Sequence, residues 1–288
     1  MKKCGRSLLG LLILFLVPLL ASAQEKTPPP KVLVIMREYL KPGKAGFAHE
    51  KTESAFVQAF SRAKWPTNYL GMTSLSGKSR ALFLTFYDSF DAWDKDTAAV
   101  AKNAALSAAI DRATVADGEL LDSLDQGVFV YEDEFSVRPK YADVAHRRLM
   151  EIVVFHVRPG HFAEWSELAK MVAVGYEKSV PDAHWACFHS IYGGSDGAYI
   201  FLTALKSGSE IDANAQQGKQ FEAAMGEDGL KKLSQLEAAS VESSESQLFS
   251  FNPKMSYVSD EWIKADPNFW KPKAAAPAAK PATEKPTQ

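Results

Sequence analysis

Two stretches of the sequence decide the fold, and they share one pattern. The first is VIMREYLKPG, residues 34–43, and the second is EIVVFHVRPG, residues 151–160. Each is a run of β-prone residues that ends in a cation followed by Pro-Gly. Runs rich in β-branched and aromatic residues, bounded by Pro and Gly, are typical of β-strands. The two stretches therefore predict two strands, each of which opens a similar unit.

The segments after the two stretches are also alike. Each strand precedes an amphipathic helix, because the apolar residues recur at helical spacing. The apolar positions are Phe47, Ala55, Phe56, Ala59 and Phe60 in the first unit, and Phe162, Trp165, Leu168, Ala169 and Val172 in the second. A β-hairpin with a polar, Gly-rich turn is predicted next, over residues 69–86 and 184–204. A second helical region comes after it, which in the first unit includes Leu121 and Leu124. The last strands are predicted at Val128–Tyr131 and Leu248–Phe251.

Both units therefore have the order β-α-β-β-α-β, which is the ferredoxin-like order. The fold class predicted is α+β, with two ferredoxin-like βαββαβ repeats that pair their sheets as an intramolecular pseudo-dimeric α/β barrel. Self-similarity at a fixed offset indicates an internal tandem repeat. The predicted division is a signal peptide over 1–23, a Pro-rich leader over 24–30, repeats over 31–139 and 148–256 joined by a linker at 140–147, an aromatic C-terminal strap over 257–270 and a disordered Ala/Pro/Lys tail over 271–288.

The strand that ends in cation-Pro-Gly, followed by an aromatic amphipathic helix, resembles the first unit of the dimeric α/β-barrel superfamily. That group includes antibiotic-biosynthesis-monooxygenase-like and NIPSNAP-like domains. The resemblance covers about residues 31–256, and it implies that the two halves of this chain pair as subunits do elsewhere. It implies an architecture and no particular activity, because one fold hosts many functions.

The N-terminus predicts export. Lys2, Lys3 and Arg6 precede an apolar run from Leu8 to Leu20, and the small residues 21–23 come next. This pattern is typical of a Sec-type secretory signal peptide. Cleavage after Ala23 is expected, with a periplasmic or secreted product and no membrane span in the mature chain.

Cysteine content and charge narrow the functional classes. Cleavage removes Cys4 and leaves Cys187, which lies in an apolar stretch and is predicted to be a buried thiol. The whole chain carries a formal net charge of −2. A mildly acidic protein without a basic stripe is a poor nucleic-acid binder.

Polar residues on the predicted strands are the candidate site. Alternation along a strand puts Arg37 and Tyr39 on one face of the first strand, and His156 at the matching place in the second unit. His189 and Tyr199 of the second hairpin are added as candidates. A concave apolar cavity with a few such polar groups would suit a small molecule. The alternative is that these groups pair with one another or lie at a solvated rim.

No metal or cofactor is predicted. Five histidines fall in the second half of the chain, and no pair of them has a metal-ligand spacing. The resemblance leaves a single axial histidine for haem as an alternative, since haem enzymes occur in that superfamily.

The sequence predicts an exported α/β-barrel protein that binds a small molecule in the barrel cavity or acts as a non-catalytic envelope protein. Two alternatives stay open. One is a cofactor-independent monooxygenase-like or haem-dependent enzyme. The other is a protein-interaction module that uses the aromatic segment and the tail. Ligand, enzyme status and further oligomerisation are left undecided by the sequence.

Overall fold

The computed structural model describes residues 29–139 and 141–271. The predicted signal peptide, most of the predicted leader and nearly all of the predicted tail lie outside these residues. The strands are β1 (Val32–Leu40), β2 (Tyr69–Ser74), β3 (Arg80–Tyr87), β4 (Leu121–Val137), β5 (Leu149–Val157), β6 (Trp185–Tyr192), β7 (Ala198–Leu205) and β8 (Val241–Phe251). The helices are α1 (Phe47–Ala63), α2 (Phe90–Lys102), α3 (Ala104–Gly118), α4 (Phe162–Ser179), α5 (Gly208–Ser240), α6 (Asp260–Ala265) and α7 (Pro267–Trp270), and a short 3₁₀ helix spans Tyr141–His146.

All eight strands belong to one antiparallel sheet that closes on itself in the order β1-β3-β2-β8-β5-β7-β6-β4. The first half of the chain contributes four adjacent strands, and the second half contributes the other four in the same internal order. Two junctions join the halves, where β4 pairs with β6 and β2 pairs with β8. This arrangement confirms the predicted α+β class and the predicted order of elements in each half.

Two strands begin earlier than predicted. Strand β4 begins at Leu121 and pairs with all of β1, from Val32 opposite Val130 to Leu40 opposite Leu121. The prediction that Leu121 and Leu124 are helical is therefore wrong. Residues 122–126 are exposed, so this part of the strand lacks the alternation that a half-buried strand shows. Strand β8 likewise begins at Val241. Its residues 242–246 are all exposed, so the sequence shows no alternation that would mark the start of the strand.

The second helical region of each half is in two parts. In the first half Asn103 ends α2 and caps α3, because its side chain accepts a hydrogen bond from Leu106 N. In the second half α5 is kinked at Gly226, whose φ of 64° few other residues adopt. In the part of the chain that the structure describes, no helix is both long enough and apolar enough to cross a membrane.

The inner face of the sheet forms one core that both halves share. Alternate residues of each strand point into it, as the period of two requires. Its buried members include Leu33, Ile35, Leu84 and Phe129 from the first half, and Ile152, Phe188, Leu202 and Phe249 from the second. Neither half therefore has an inner core of its own.

The outer face of the sheet carries the helices. In the second half, Trp165, Leu168 and Ala169 of α4 pack against Phe155, Cys187 and Phe201. Cys187 is the free cysteine of the described residues, and it is fully buried. Burial raises the pKa of its thiol well above the usual range, which keeps it protonated and unreactive.

The segment after β8, residues 252–270, packs onto one end of the shared core. Trp270 is 1% exposed, contacts the rings of Phe251 and Phe269, and donates a hydrogen bond from Nε1 to Ala145 O at 2.7 Å. Earlier in this segment, Tyr257 pairs with Tyr69 at the start of β2. The aromatic residues of this segment are thus part of the core, which argues against their use as exposed anchors.

The segment also approaches β2 closely at Gly71, which predicts a sensitive position. A Cβ built there would lie 2.4 Å from Met255 O. We expect Gly71→Ala to lower the free energy of unfolding by about 1–3 kcal/mol, because backbone must move to admit the methyl group. Urea denaturation measures the change. Gly218→Ala in α5 is the control, since nothing lies within 4 Å of its Cβ. It should leave stability unchanged or raise it by about 0.5–1 kcal/mol.

Trp270 provides a second test of how the segment contributes to the stability of the fold. Trp270→Ala should cost about 3–5 kcal/mol of unfolding free energy, as expected for a fully buried tryptophan. Phe47→Ala is the matched control, because Phe47 is 79% exposed, and it should change stability by less than about 0.5 kcal/mol. Equal effects of the two substitutions in urea denaturation would contradict the role assigned to the segment.

Candidate functional site

A cavity of about 450 Å³ lies at the end of the barrel where β2, β5 and β6 begin and β3 and β7 end. Its floor consists of inner-core residues, and its rim consists of aromatic and polar residues. The floor residues are Leu70, Leu84, Met150, Ala186, Leu202 and Ala204, and the rim includes Asn68, Phe86, Tyr87, Asp88, His184, Trp185, Ser259 and Trp262. The lining is therefore mostly apolar with a few polar groups at the mouth.

The side of the cavity next to α2 is held by Asp96. This carboxylate accepts hydrogen bonds from Trp65 Nε1 at 2.9 Å, Thr67 Oγ1 at 2.6 Å and Tyr87 OH at 3.0 Å. Burial and the adjacent Asp96 charge raise the pKa of Tyr87 above its usual range. The Tyr87 hydroxyl therefore stays protonated and remains a donor to Asp96. One carboxylate thus fixes Tyr87 and Thr67, which both line the cavity.

His184 is the histidine among the described residues that line the cavity, and its ring is already engaged. Its Nδ1 lies 2.9 Å from Asp182 O, and its Nε2 lies 2.9 Å from Ala204 O. Both nitrogens thus face backbone carbonyl oxygens, whichever tautomer is present. A haem iron needs a nitrogen lone pair directed into the cavity. His184 therefore does not fit an axial haem ligand.

Three of the five predicted site residues lie on the inner face, but at the opposite end of the barrel. Arg37 pairs with Asp125 and donates a hydrogen bond from Nη2 to Gly193 O at 3.1 Å. The guanidinium carbon of Arg80 lies 5.7 Å from the ring centre of Tyr39. His156 occupies the matching place at the end of β5, since both β1 and β5 have a register shift after these residues.

The other two lie on the helix-facing side of the sheet. His189 Nδ1 is in contact with Glu132 Oε1, and the centre of its ring is 5.9 Å from that of Tyr199. Tyr199 packs against Trp165 of α4, with ring centres 5.0 Å apart. The structure therefore separates these residues from Arg37, Tyr39 and His156. None of the five lines the cavity, and their role in ligand binding stays a prediction.

The residues that do line the cavity were missed by sequence reasoning for a physical reason. Tyr87, Trp185 and Trp262 were not among the candidates, since Trp262 was assigned to the predicted strap, and their convergence depends on barrel closure. A weak signal existed, because each stands at the end of a strand or in the segment after the last one. Strand ends on one side of a barrel come together only once the strand order is known.

A second polar group lies away from the cavity, between the sheet and α1. Glu38, His49, Glu53 and Asp117 are all buried, and one ligand-type atom from each lies within 4.8 Å of the others. Among the described residues, this is the group of histidine, cysteine and carboxylate side chains compact enough to hold a metal ion. The sequence predicted no metal site, and His49 was not among the candidate residues. The signal was the spacing of His49 and Glu53, which places both on one side of a helix.

Comparisons with known proteins concern the fold. No family model matches the sequence, and no curated protein matches it. The structure is similar to that of a candidate monooxygenase from Fusobacterium nucleatum subsp. nucleatum, with 11% identity, a TM-score of 0.51, and coverage of 78% of this chain and 94% of that one. A candidate monooxygenase from Lactobacillus acidophilus gives 8% identity and a TM-score of 0.48 over 77% and 94% of the two chains. A mutant chlorite dismutase from Candidatus Nitrospira defluvii gives 10% identity and 0.47 over 83% and 96%.

The similarity to the Fusobacterium protein agrees with the architecture expected from the two Pro-Gly strands. This chain and the Fusobacterium protein therefore share a fold. At this level of identity the comparison shows the fold alone.

The Asp96 contacts predict how the cavity wall responds to substitution. Asp96→Ala leaves three donors without their acceptor and should lower the unfolding free energy by about 1–3 kcal/mol. Asp91→Ala on the same helix is the control, because the exposed Asp91 pairs with Lys95 at the surface and lies in the first turn of α2, and it should cost at most about 1 kcal/mol. Chemical denaturation compares the two. The structural role of Asp96 would be contradicted if both variants matched the unsubstituted protein.

Proposed function

We propose that the cavity at the end of the barrel binds a small, mostly apolar molecule. The observation that carries the proposal is a cavity of about 450 Å³ with an aliphatic floor and an aromatic rim. Binding pockets for small molecules typically have volumes of about 300–1,000 Å³ and apolar walls with a few placed polar groups. The cavity has the size and the lining of this class of site.

The lining also indicates the chemistry of the ligand. Phe86, Tyr87, Trp185 and Trp262 offer ring faces and edges, which favour a flat or aromatic group. Polar atoms of Asn68 and other rim residues are at the mouth. A ligand that buries an apolar ring and leaves one polar group at the mouth satisfies both regions.

A second candidate function is an enzyme that acts on a molecule bound in the same cavity. The observation that favours it is the similarity of fold to the Fusobacterium protein described as a candidate monooxygenase. Because His184 has no ring nitrogen free for iron, we favour a cofactor-independent monooxygenase-like reaction over a haem-dependent one. Turnover of an aromatic substrate, abolished by filling the cavity, would support this candidate.

We also propose that the two halves arose by tandem duplication and pair as an intramolecular pseudo-dimer. Each half has the same strand order and contributes one strand to each junction. The register shift after Tyr39 in β1 matches that after His156 in β5. Export, with cleavage after Ala23, is part of the proposal and is supported by the pattern of residues 1–23.

The binding proposal is tested with the exported protein and an apolar fluorescent probe, 1-anilinonaphthalene-8-sulfonate. Intact mass first verifies that the chain begins at Gln24. We expect the probe to bind at one saturable site. Ala204→Phe at the floor and Ala92→Phe at the rim should each weaken binding at least about tenfold, equivalent to about 1.4 kcal/mol.

The control is Ala105→Phe, which places the same ring on the exposed surface of α3 and should leave the affinity unchanged. Near-UV circular dichroism verifies native packing, because loosely packed states also bind this probe. Binding that is insensitive to both cavity substitutions in folded protein would contradict the proposal.

A further inference from the structure

The buried polar group between the sheet and α1 has a geometry that needs an explanation. Glu38 comes from β1, His49 and Glu53 from α1, and Asp117 from α3. His49 Nε2 lies 2.9 Å from Glu38 Oε2, 3.4 Å from Asp117 Oδ1 and 3.9 Å from Glu53 Oε1. One imidazole nitrogen thus faces three carboxylates.

These carboxylates have no lysine or arginine partner among the described residues. The nearby ammonium of Lys254 is 2.6 Å from Glu50 Oε2, so it is engaged outside the group. Glu53 is 3% exposed, and its Oε1 has no hydrogen-bond partner. Buried carboxylates without a compensating cation are costly, so the group requires protons or a bound cation.

Packing alone does not account for these side chains. In the second half of the chain, Phe155 takes the place of Glu38. Each of the two stands one residue before the residue at which the register of its strand shifts, Tyr39 in β1 and His156 in β5. Phe155 packs against Trp165 of α4, with ring centres 5.2 Å apart, where Glu38 contacts His49 in the first half. The same helix–sheet contact is therefore filled by aromatic rings in the second half and by polar side chains in the first.

The surroundings of Asp117 also favour a cation. Asp117 is in the last turn of α3, where the helix dipole disfavours a negative charge and favours a positive one. Thr52 Oγ1 lies 2.6 Å from Asp117 Oδ1 and holds this carboxylate in place. An oriented ligand with such a partner is the usual environment of a metal-binding carboxylate.

We propose that Glu38, His49, Glu53 and Asp117 bind a divalent transition-metal ion. Donors around tetrahedral Zn²⁺, at bond lengths of about 2.0–2.2 Å, stand about 3.3–3.6 Å apart. The three distances from His49 Nε2, 2.9 to 3.9 Å, bracket this value. One imidazole and three carboxylates suit Zn²⁺ or Mn²⁺, and a donor set without a thiolate disfavours Cu⁺.

Tyr69 adds a donor beside the site. Its hydroxyl is buried, lies within the field of the Glu53 and Glu38 carboxylates, and has no hydrogen-bond partner among the described residues. Since Tyr69 also lines the cavity, it forms a wall between the proposed metal site and the proposed ligand site.

The test is metal uptake by the mature chain. Protein freed of metal with a chelator is dialysed against Zn²⁺ or, separately, Mn²⁺. The bound metal is then quantified by inductively coupled plasma mass spectrometry. We expect one ion per chain and a rise in the unfolding temperature. His49→Gln and Glu53→Gln should each weaken binding by more than about 100-fold, the upper end of the effect of an outer-sphere partner.

The matched control is His161→Gln. His161 is a partly exposed histidine whose Nδ1 lies 3.5 Å from Glu164 Oε1, so it tests whether any histidine–carboxylate pair gives the signal. It should bind metal as the unsubstituted protein does. Circular dichroism verifies the fold of every variant. If a single variant does not fold, the double variant Glu38→Phe and His49→Trp replaces it. This double variant carries the residue types of Phe155 and Trp165, and it should fold without binding metal.

X-ray absorption on the loaded, unsubstituted protein gives a test that needs no variant. Nitrogen and oxygen donors at about 2.0–2.2 Å without sulfur would support the site. Folded protein that takes up no stoichiometric Zn²⁺ or Mn²⁺ would overturn the proposal. Uptake that His49→Gln and Glu53→Gln leave unchanged in folded protein would overturn it equally, because the ion would then bind elsewhere.

Discussion

The closed sheet and the single core inside it are the constraint on which the rest of the structure depends. Each half supplies four strands, and their inner side chains meet in a core that neither half could complete alone. This sharing places the strand ends of both halves around one cavity. The halves also meet on the helix-facing side, where Phe135 and Val137 of β4 pack with α4 and Tyr257 stacks on Phe60 of α1.

The order of elements was predictable because it is encoded locally. The Pro-Gly pairs at 42–43 and 159–160 end β1 and β5, and the helical spacing after them marks α1 and α4. The starts of β4 and β8 were not predictable. Residues 122–126 and 242–246 are exposed and, apart from Leu124, polar, and only pairing with β1 and β5 makes them strand. Local pattern fails wherever a distant partner decides the conformation.

The site was less accessible to sequence reasoning than the fold. Period-two alternation put Arg37 and Tyr39 on one face of the first strand, but it could not tell which end of the barrel holds the cavity. His189 and Tyr199 lie on the outer face instead. The buried group around His49 combines one local signal, the spacing to Glu53, with two distant carboxylates. The distant pair, Glu38 and Asp117, is brought together only by the packing of α1 and α3 onto β1.

The two junctions also determine what happens while the chain is being made. Strand β2 must wait for β8, and β4 must wait for β6, so the first half carries two unpaired edges until most of the second half exists. Open edges invite pairing with other chains, and non-local pairing is slow to form. A fragment ending near residue 139 would present both edges permanently. Its way to satisfy them is to pair with a second copy of itself, so premature termination would yield an intermolecular dimer or an aggregate instead of a smaller folded protein.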